Sequence, residues 1–539
     1  MEKKLPVINT TGSACGSCHG SECKSCTPAP SPKQPTVMSR REIARAAIFG
    51  AAAATLTDCT KSRNVVAAQS VPAPSVSKEL DVVQKSKGPI MTTVDEFFKM
   101  GPGPSSSHTM GPMRITYDFY QRLSKLPADQ LQRATALKVH LYGSLSATGA
   151  GHGTDRASLA GLLGKAPATC PPEFLDSLAA NREQQHPLTI GPAKFNLTLK
   201  DVIFDETKGA FPHPNTMRGV LLAGNDVLYE LEYYSVGGGF IEWKGYKPPD
   251  KGKPKYPYGT AKELMRHVVD NHIPLSQLLL VNEMAISGKS EKQVWEFIDQ
   301  VTQVMLGMVD TGIKAEGVLP GPIKLHSKAA TVWHRAEQNT AGTDRAIGML
   351  AGAALGASEE NARGHIIVTA PTGGSAGVLP ALTKGLRDYR KVTPQQLRNG
   401  FMAAAAIGYL CKHNATLSAA EGGCQAEIGV ASAMGAAMAA EAQGAGMQVV
   451  ANAAESALEH HLGMTCDPVA GFVQVPCIER CAFGAVKSWT AYCIATNEIE
   501  TKRRVDLDTC IAAMAMTAKE MNAKYKETSE AGLAALVLC

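Results

Sequence analysis

The chain has 539 residues, 44% of them hydrophobic and 19% charged, with a formal net charge of +5. This composition excludes a wholly disordered chain and fits a folded protein with a sizeable core. The charge is mild for the length and the basic residues form no stripe, which argues against a nucleic-acid partner and for a small-molecule one.

The first 90 or so residues differ from the rest and read as a disordered extension, 1–90. Cys15, Cys18, Cys23 and Cys26 form two Cys-x-x-Cys pairs, either a zinc- or cluster-like site with a short loop or a thiol-rich tail. Arg40-Arg41 precedes a mostly apolar stretch, Ala46 to Leu56, in the order of a twin-arginine export signal. That stretch is too short to span a bilayer, and a chance Arg pair in an extension is the alternative. Cys59 loosely resembles a lipoprotein acceptor, although Asp58 departs from the small residue expected there, and Met38 is an alternative start. Residues 91–245 read as an α+β domain, with strands expected over Thr135–Tyr142, Asn196–Phe204 and Val227–Tyr234. A linker rich in Pro, Lys and Gly is expected over 246–262. Residues 263–539 read as a mainly α-helical domain, with buried helices over Ala431–Ala445 and Val449–Leu462 that pack through small residues. The fold class expected is therefore an α+β domain followed by a mainly α-helical catalytic domain.

Six motifs carry chemistry. Gly101 to Thr109 crowds Ser105, Ser106, Ser107, His108 and Thr109 into one turn before a helix, where hydroxyls and backbone N–H groups bind a carboxylate or cap the helix. Tyr142 to Asp155 sets His152 between two glycines, sterically open for proton transfer. Phe211 to Arg218 fixes His213 between prolines, as a member of a hydrogen-bond network or a structural turn. Thr369 to Gly377 holds Thr372, Gly373, Gly374 and Ser375 after an apolar run, either a carboxylate cradle or a plain turn into a helix. Cys424 lies among glycines and polar residues, and Cys466 and Cys477 are tied to prolines, unlike ordinary core cysteines. Three thiolates leave one iron of a cubane cluster open, and the last residue, Cys539, is placed to reach back as a displaceable fourth ligand. Cys411, Cys481, Cys493 and Cys510 compete as ligands but have helical, apolar flanks and read as packing cysteines.

Together GPSSSHTMGPMR, GSLSATGAGHGTD, HPNTMR, YYSVGGGF, APTGGSAG, EGGCQAEIG and TCDPVAGFVQVPCIER resemble, in order, the iron–sulfur L-serine dehydratase family over about Met91 to Cys539. The resemblance implies a single chain with a β-type domain before an α-type catalytic domain. It implies a [4Fe–4S] cluster on Cys424, Cys466 and Cys477, capped by Cys539 until substrate arrives. His152 falls at the family's proposed proton-abstracting base, with His108 and His213 at neighbouring positions. Many members carry Asn where this chain has Gly373, and Asn where it has Cys481. The loss of an amide at Gly373 bears on carboxylate binding or substrate choice. L-serine is the expected substrate and a homodimer the expected assembly. The usual family location is cytoplasmic, to which export through Arg40-Arg41 is the alternative.

On this reading the open iron binds the β-hydroxyl, His152 removes the α-proton, and the loops at Ser105–Thr109 and Thr372–Ser375 hold the carboxylate. The alternatives are a related cluster lyase acting on threonine, cysteine or a hydroxy acid, an Fe–S electron carrier, and a serine-binding regulatory protein. No feature suggests pyridoxal phosphate, and visible absorption separates a brown cluster from a yellow aldimine.

Overall fold

The computed structural model describes residues 88–537, apart from 208, 210, 248 and 249. The expectations for Cys15, Cys18, Cys23, Cys26, Arg40-Arg41, Cys59 and Cys539 lie outside the described residues.

Strict alternation sets the first sheet. In β2, Ala136–Leu141, the residues Leu137, Val139 and Leu141 are buried while their neighbours are half-buried, as a strand with one face on a core requires. With β5 (Val202–Phe204), β6 (Thr216–Ala223), β7 (Asp226–Ser235) and β8 (Ile241–Trp243), it forms a five-stranded sheet in the order β5-β2-β6-β7-β8. The β2–β5 pair is parallel and the remaining pairs are antiparallel. Helices Gly111–Leu123 and Thr154–Leu162 pack against each other and enclose a core with Phe119, Leu141, Leu159 and Tyr233.

The strand expected over Asn196–Phe204 is corrected to two. β4 (Ala193–Leu197) pairs with β3 (His186–Ile190) in a separate hairpin, and β5 joins the main sheet. Between them the Thr198 hydroxyl accepts from Lys200 N–H and the Asp201 carboxylate accepts from Thr198 N–H, which closes a 3₁₀ turn. Side-chain capping diverts the backbone from the ladder that the alternation alone suggests.

The second region is helical. Helix Ile428–Ala442 is buried along almost its whole length and contacts helices Val378–Asp388, Pro394–Asn414, Met447–Glu459 and Cys477–Ala495. Small residues make this possible. A Cβ on Gly312 would strike the Gly356 backbone, where helices Glu291–Gly312 and Gly342–Arg363 cross. The expected buried helices are present, with a break near Gly444. Cys493 is corrected: it is exposed, because its position on helix Cys477–Ala495 turns away from the core, whereas Cys411 and Cys510 are buried. No helix among the described residues is long and apolar enough to cross a membrane.

The two regions are interleaved. Ile90, Val94, Phe97 and Phe98 belong to the helical core. The strand that follows them, β1 (Lys99–Pro102), pairs antiparallel with β9 (Ile366–Thr369). The stretch expected as a linker is pinned in place: Tyr258 accepts from Ile90 N–H, and the Asn282 amide bonds both polar groups of the Tyr256 backbone.

Candidate active site

The β1–β9 pair delivers two loops to one place. Past β1 runs the Ser105–Thr109 turn, and past β9 runs the Thr372–Ser375 loop. A Cβ on Gly373 would lie 2.8 Å from both Pro104 O and Ser106 N, so the loops touch. Asn361 joins them: its Nδ2 donates to Pro104 O and to Gly373 O, each at 2.9 Å. Thr372 Oγ1 and Ser375 Oγ are 3.0 Å apart in the second loop.

The Ser105 turn is held from within. Ser105 Oγ accepts from His108 N–H, and Ser105 N–H donates to Thr109 Oγ1. His108 is fully buried, with Nδ1 2.8 Å from Ser107 Oγ and Nε2 3.0 Å from Ser144 Oγ. Thr109 Oγ1 donates to His152 O at 2.8 Å, which ties the turn to the second histidine. The His108 and His152 rings are 4.7 Å apart.

His152 is 1% exposed. Its Nδ1 lies 2.9 Å from Thr148 O, a pure acceptor, so Nδ1 carries the proton. Its Nε2 is buried with no hydrogen-bond partner in the protein. Burial pulls this imidazole down to about 4 and keeps it neutral near pH 7. The result is an unprotonated nitrogen with an open lone pair. His213 stands further out, half-buried, and its Nδ1 accepts from Asn215 N–H. The 213–215 turn abuts the Ser144 loop, where Ser144 N–H donates to Pro214 O.

The cysteines converge from two segments. Cys424 begins a short turn before helix Ile428–Ala442, Cys466 lies in the loop after helix Met447–Glu459, and Cys477 starts helix Cys477–Ala495. All three are buried. The ligand atoms of Cys424, Cys466 and Glu427 lie within 4.8 Å of one another. Cys477 stands outside that group but within electrostatic reach of Cys424. The Cys424 contact and burial push the Cys466 thiol well above its usual range, and burial followed by Cys424 does the same to Cys477. Arg480 Nη1 donates to Cys424 Sγ at 3.3 Å, and its Nη2 to Asp467 Oδ1 at 3.0 Å.

A cleft of about 470 Å³ separates the histidine loop from the cysteine loop, lined by Thr148, Gly151, Phe472, Thr528 and Ser529 among others. The C-terminal segment closes one side. Cys466 N–H donates to Tyr525 O, Glu527 N–H to Cys466 O, and Leu533 N–H to Asp467 Oδ2, at 2.7–2.8 Å.

Three groups here have no role in the sequence analysis: Asn361, Arg480 and Glu427. Glu427 sits three residues after Cys424, a spacing that brings side chains to one side of a helical turn and is the signal available for it. The Thr372 hydroxyl bonds its carboxyl group, and burial pushes that group up to about 7. Asn361 lies within a helix and carries no comparable signal.

Comparison with known proteins gives two family matches, the serine dehydratase beta chain over residues 93–246 and the serine dehydratase alpha chain over residues 270–534. An L-serine dehydratase of Haemophilus influenzae is 40% identical over 464 residues, covering 83% of this chain and 100% of the relative. L-serine dehydratase 2 of Escherichia coli is 41% identical over 455 residues, covering 82% and 98%. An L-serine dehydratase of Streptomyces coelicolor is 38% identical over 461 residues, covering 83% and 99%. The chain belongs to the serine dehydratase family. It carries both chains' regions fused, in the order beta then alpha. Part of it has no counterpart in these serine dehydratases.

Gly373 and Cys481, the two positions at which the resemblance implies a departure, are neighbours in space. Gly373 leaves no room for a side chain against Pro104 and Ser106, and Cys481 Sγ lies 3.2 Å from Gly374 O. One loop therefore adjoins both changes. The donor set also fits a metal centre. Buried thiols that oppose one another's ionisation are stabilised as thiolates by a shared cation, and Arg480 already aims a donor at one of them.

Proposed function

We propose that the protein is an L-serine dehydratase, converting L-serine to pyruvate and ammonia. The observation that carries the reading is the His152 imidazole, with its tautomer fixed by Thr148 and its Nε2 buried and unpartnered, on the loop whose Thr148 and Gly151 line a cleft facing the cysteine loop. A [4Fe–4S] cluster on Cys424, Cys466 and Cys477, with Cys539 as a displaceable fourth ligand, is the cofactor of this reading. When bound, it supplies a Lewis-acidic iron that draws charge from the substrate's β C–O bond.

The chain's own residues do the rest. His152 Nε2 takes the α-proton. Ser105, Ser106 and Ser107 offer hydroxyls and backbone donors to the carboxylate, Thr109 supports the turn by donating its hydroxyl to His152 O, and His108, locked between Ser107 and Ser144, keeps the wall beside His152 rigid. Thr372, Gly373, Gly374 and Ser375 form the facing wall, and His213 closes the network at the rim. Loss of the α-proton and the hydroxyl yields aminoacrylate, whose hydrolysis returns the water and releases ammonia.

A second reading has one specific observation behind it. Cys424, Glu427 and Cys466 are close enough together to hold a single ion such as zinc. Anaerobic purification followed by iron, sulfide and zinc analysis and a pyruvate assay with L-serine separates the readings. Iron and sulfide in equal amounts with pyruvate formation is the expected result; zinc without sulfide, or a loaded protein that forms no pyruvate, overturns it. The same preparation tests two further points of the reading. A homodimer is in keeping with the exposure of Phe483 and Ile494 on one helix, at 67% and 50%, and size-exclusion chromatography reads it. Cell fractionation distinguishes a cytoplasmic enzyme from one exported through Arg40-Arg41.

A further inference from the structure

Resting on the amino-acid reading of this site, we propose that Glu427 receives the substrate's α-ammonium group and so selects a 2-amino acid over its 2-hydroxy counterpart. An amino acid brings two opposite charges into a half-dry cleft, and each needs a partner there. The other site-loop carboxylates are already engaged: Asp467 pairs with Arg480 at 3.0 Å and Asp155 with Arg182 at 2.7 Å. Glu427 has no ion-pair partner among the described residues. Its carboxylate stands within 4.8 Å of the Cys424 and Cys466 sulfurs. On its other side it receives the Thr372 hydroxyl. Gly374 leaves room for it, since a Cβ there would lie 2.7 Å from Glu427 Oε2.

This placement sorts the two loops by charge. A substrate carboxylate beside Thr372 would face the carboxyl group of Glu427, which already takes the Thr372 hydroxyl. The carboxylate therefore goes to the Ser105–Thr109 turn, which carries hydroxyls and a neutral His108, and the ammonium group goes to the Thr372 side. Glu527 is a second buried carboxylate near Glu427 and Cys424, but it lies on the C-terminal segment, whereas Glu427 is the one that meets the Thr372 loop.

The test is calorimetric titration of the iron-loaded enzyme with L-alanine and L-lactate, which differ only in the group at Cα. Wild type is expected to bind L-alanine about 10- to 100-fold more tightly, the range for a charge-assisted hydrogen bond. Glu427→Gln should bring that ratio close to one with iron content unchanged, Glu427→Asp should restore part of it, and Glu527→Gln should leave it intact. The proposal is overturned if Glu427→Gln keeps the preference, if it loses iron, or if Glu527→Gln abolishes the preference instead. The wild-type arm stands whether or not a variant folds, since equal affinity for the two ligands also overturns it. Pyruvate formation from L-serine by the wild type is scored separately, so a lyase with no Glu427 effect is told apart from a protein that is no lyase.

Discussion

The Nδ1–H of His152, held by Thr148 O, decides which nitrogen of the ring is free, and that has a kinetic consequence. His152→Ala should lower kcat by about 10²- to 10⁴-fold, the usual worth of a positioned base, with iron content unchanged; pyruvate assays and metal analysis on the same sample check it. Acid should also unfold the protein through its buried imidazoles. Burial pulls both His152 and His461 down to about 4, so they are neutral in the folded state. An unfolded histidine takes its proton near pH 6.5. Their contribution to stability is therefore fully present above about pH 6.5 and is lost as pH falls from there toward 4, on the order of 3 kcal/mol for each. Thermal melts between pH 4.5 and 7.5 should show Tm falling on the acid side, with a flatter slope in His461→Asn.

At the level of elements, the meeting of the serine turn and the glycine loop rests on the Asn361 amide. Asn361→Ala leaves Pro104 O and Gly373 O without a buried donor and should cost about 2–4 kcal/mol. Urea denaturation reads that loss, and kcat/KM for L-serine should fall at least tenfold as the loops separate. What the sequence made legible follows from how local each signal is. The alternation in β2 and the small-residue helices are written in neighbouring residues, and the structure has them where expected, whereas the flanking glycines suggest an open His152 and the structure buries it. The NLTLKDVIF segment misled because Thr198 and Asp201 spend their side chains on a turn inside an otherwise strand-like pattern. Cys493 misled because apolar flanks do not reveal which side of a helix faces the core. Asn361 takes its role from a partner far along the chain, across 257 residues to Pro104, and no local pattern encodes such a partner; Glu427 and Arg480 have partners close by in sequence, Cys424 and Asp467, but also meet Thr372 and Cys424 from distant segments.

For the molecule as a whole, the two family regions cannot be cut apart cleanly. Phe97 and Phe98 lie in the helical core, and among the described residues β1 has its only strand partner in β9. A fragment of residues 88–246 should expose this apolar stretch and aggregate, whereas co-expression with 247–539 should return a soluble pair; size-exclusion chromatography of the two preparations checks it. The same interleaving acts on the order of assembly. Cys466 takes its backbone partners from Tyr525 and Glu527, which are synthesised after all three thiols. The ribosome thus releases the three thiols before the strap that fixes one of them exists, and on the proposed cluster reading whatever delivers iron and sulfide meets either a still-open nest or one that must be reopened.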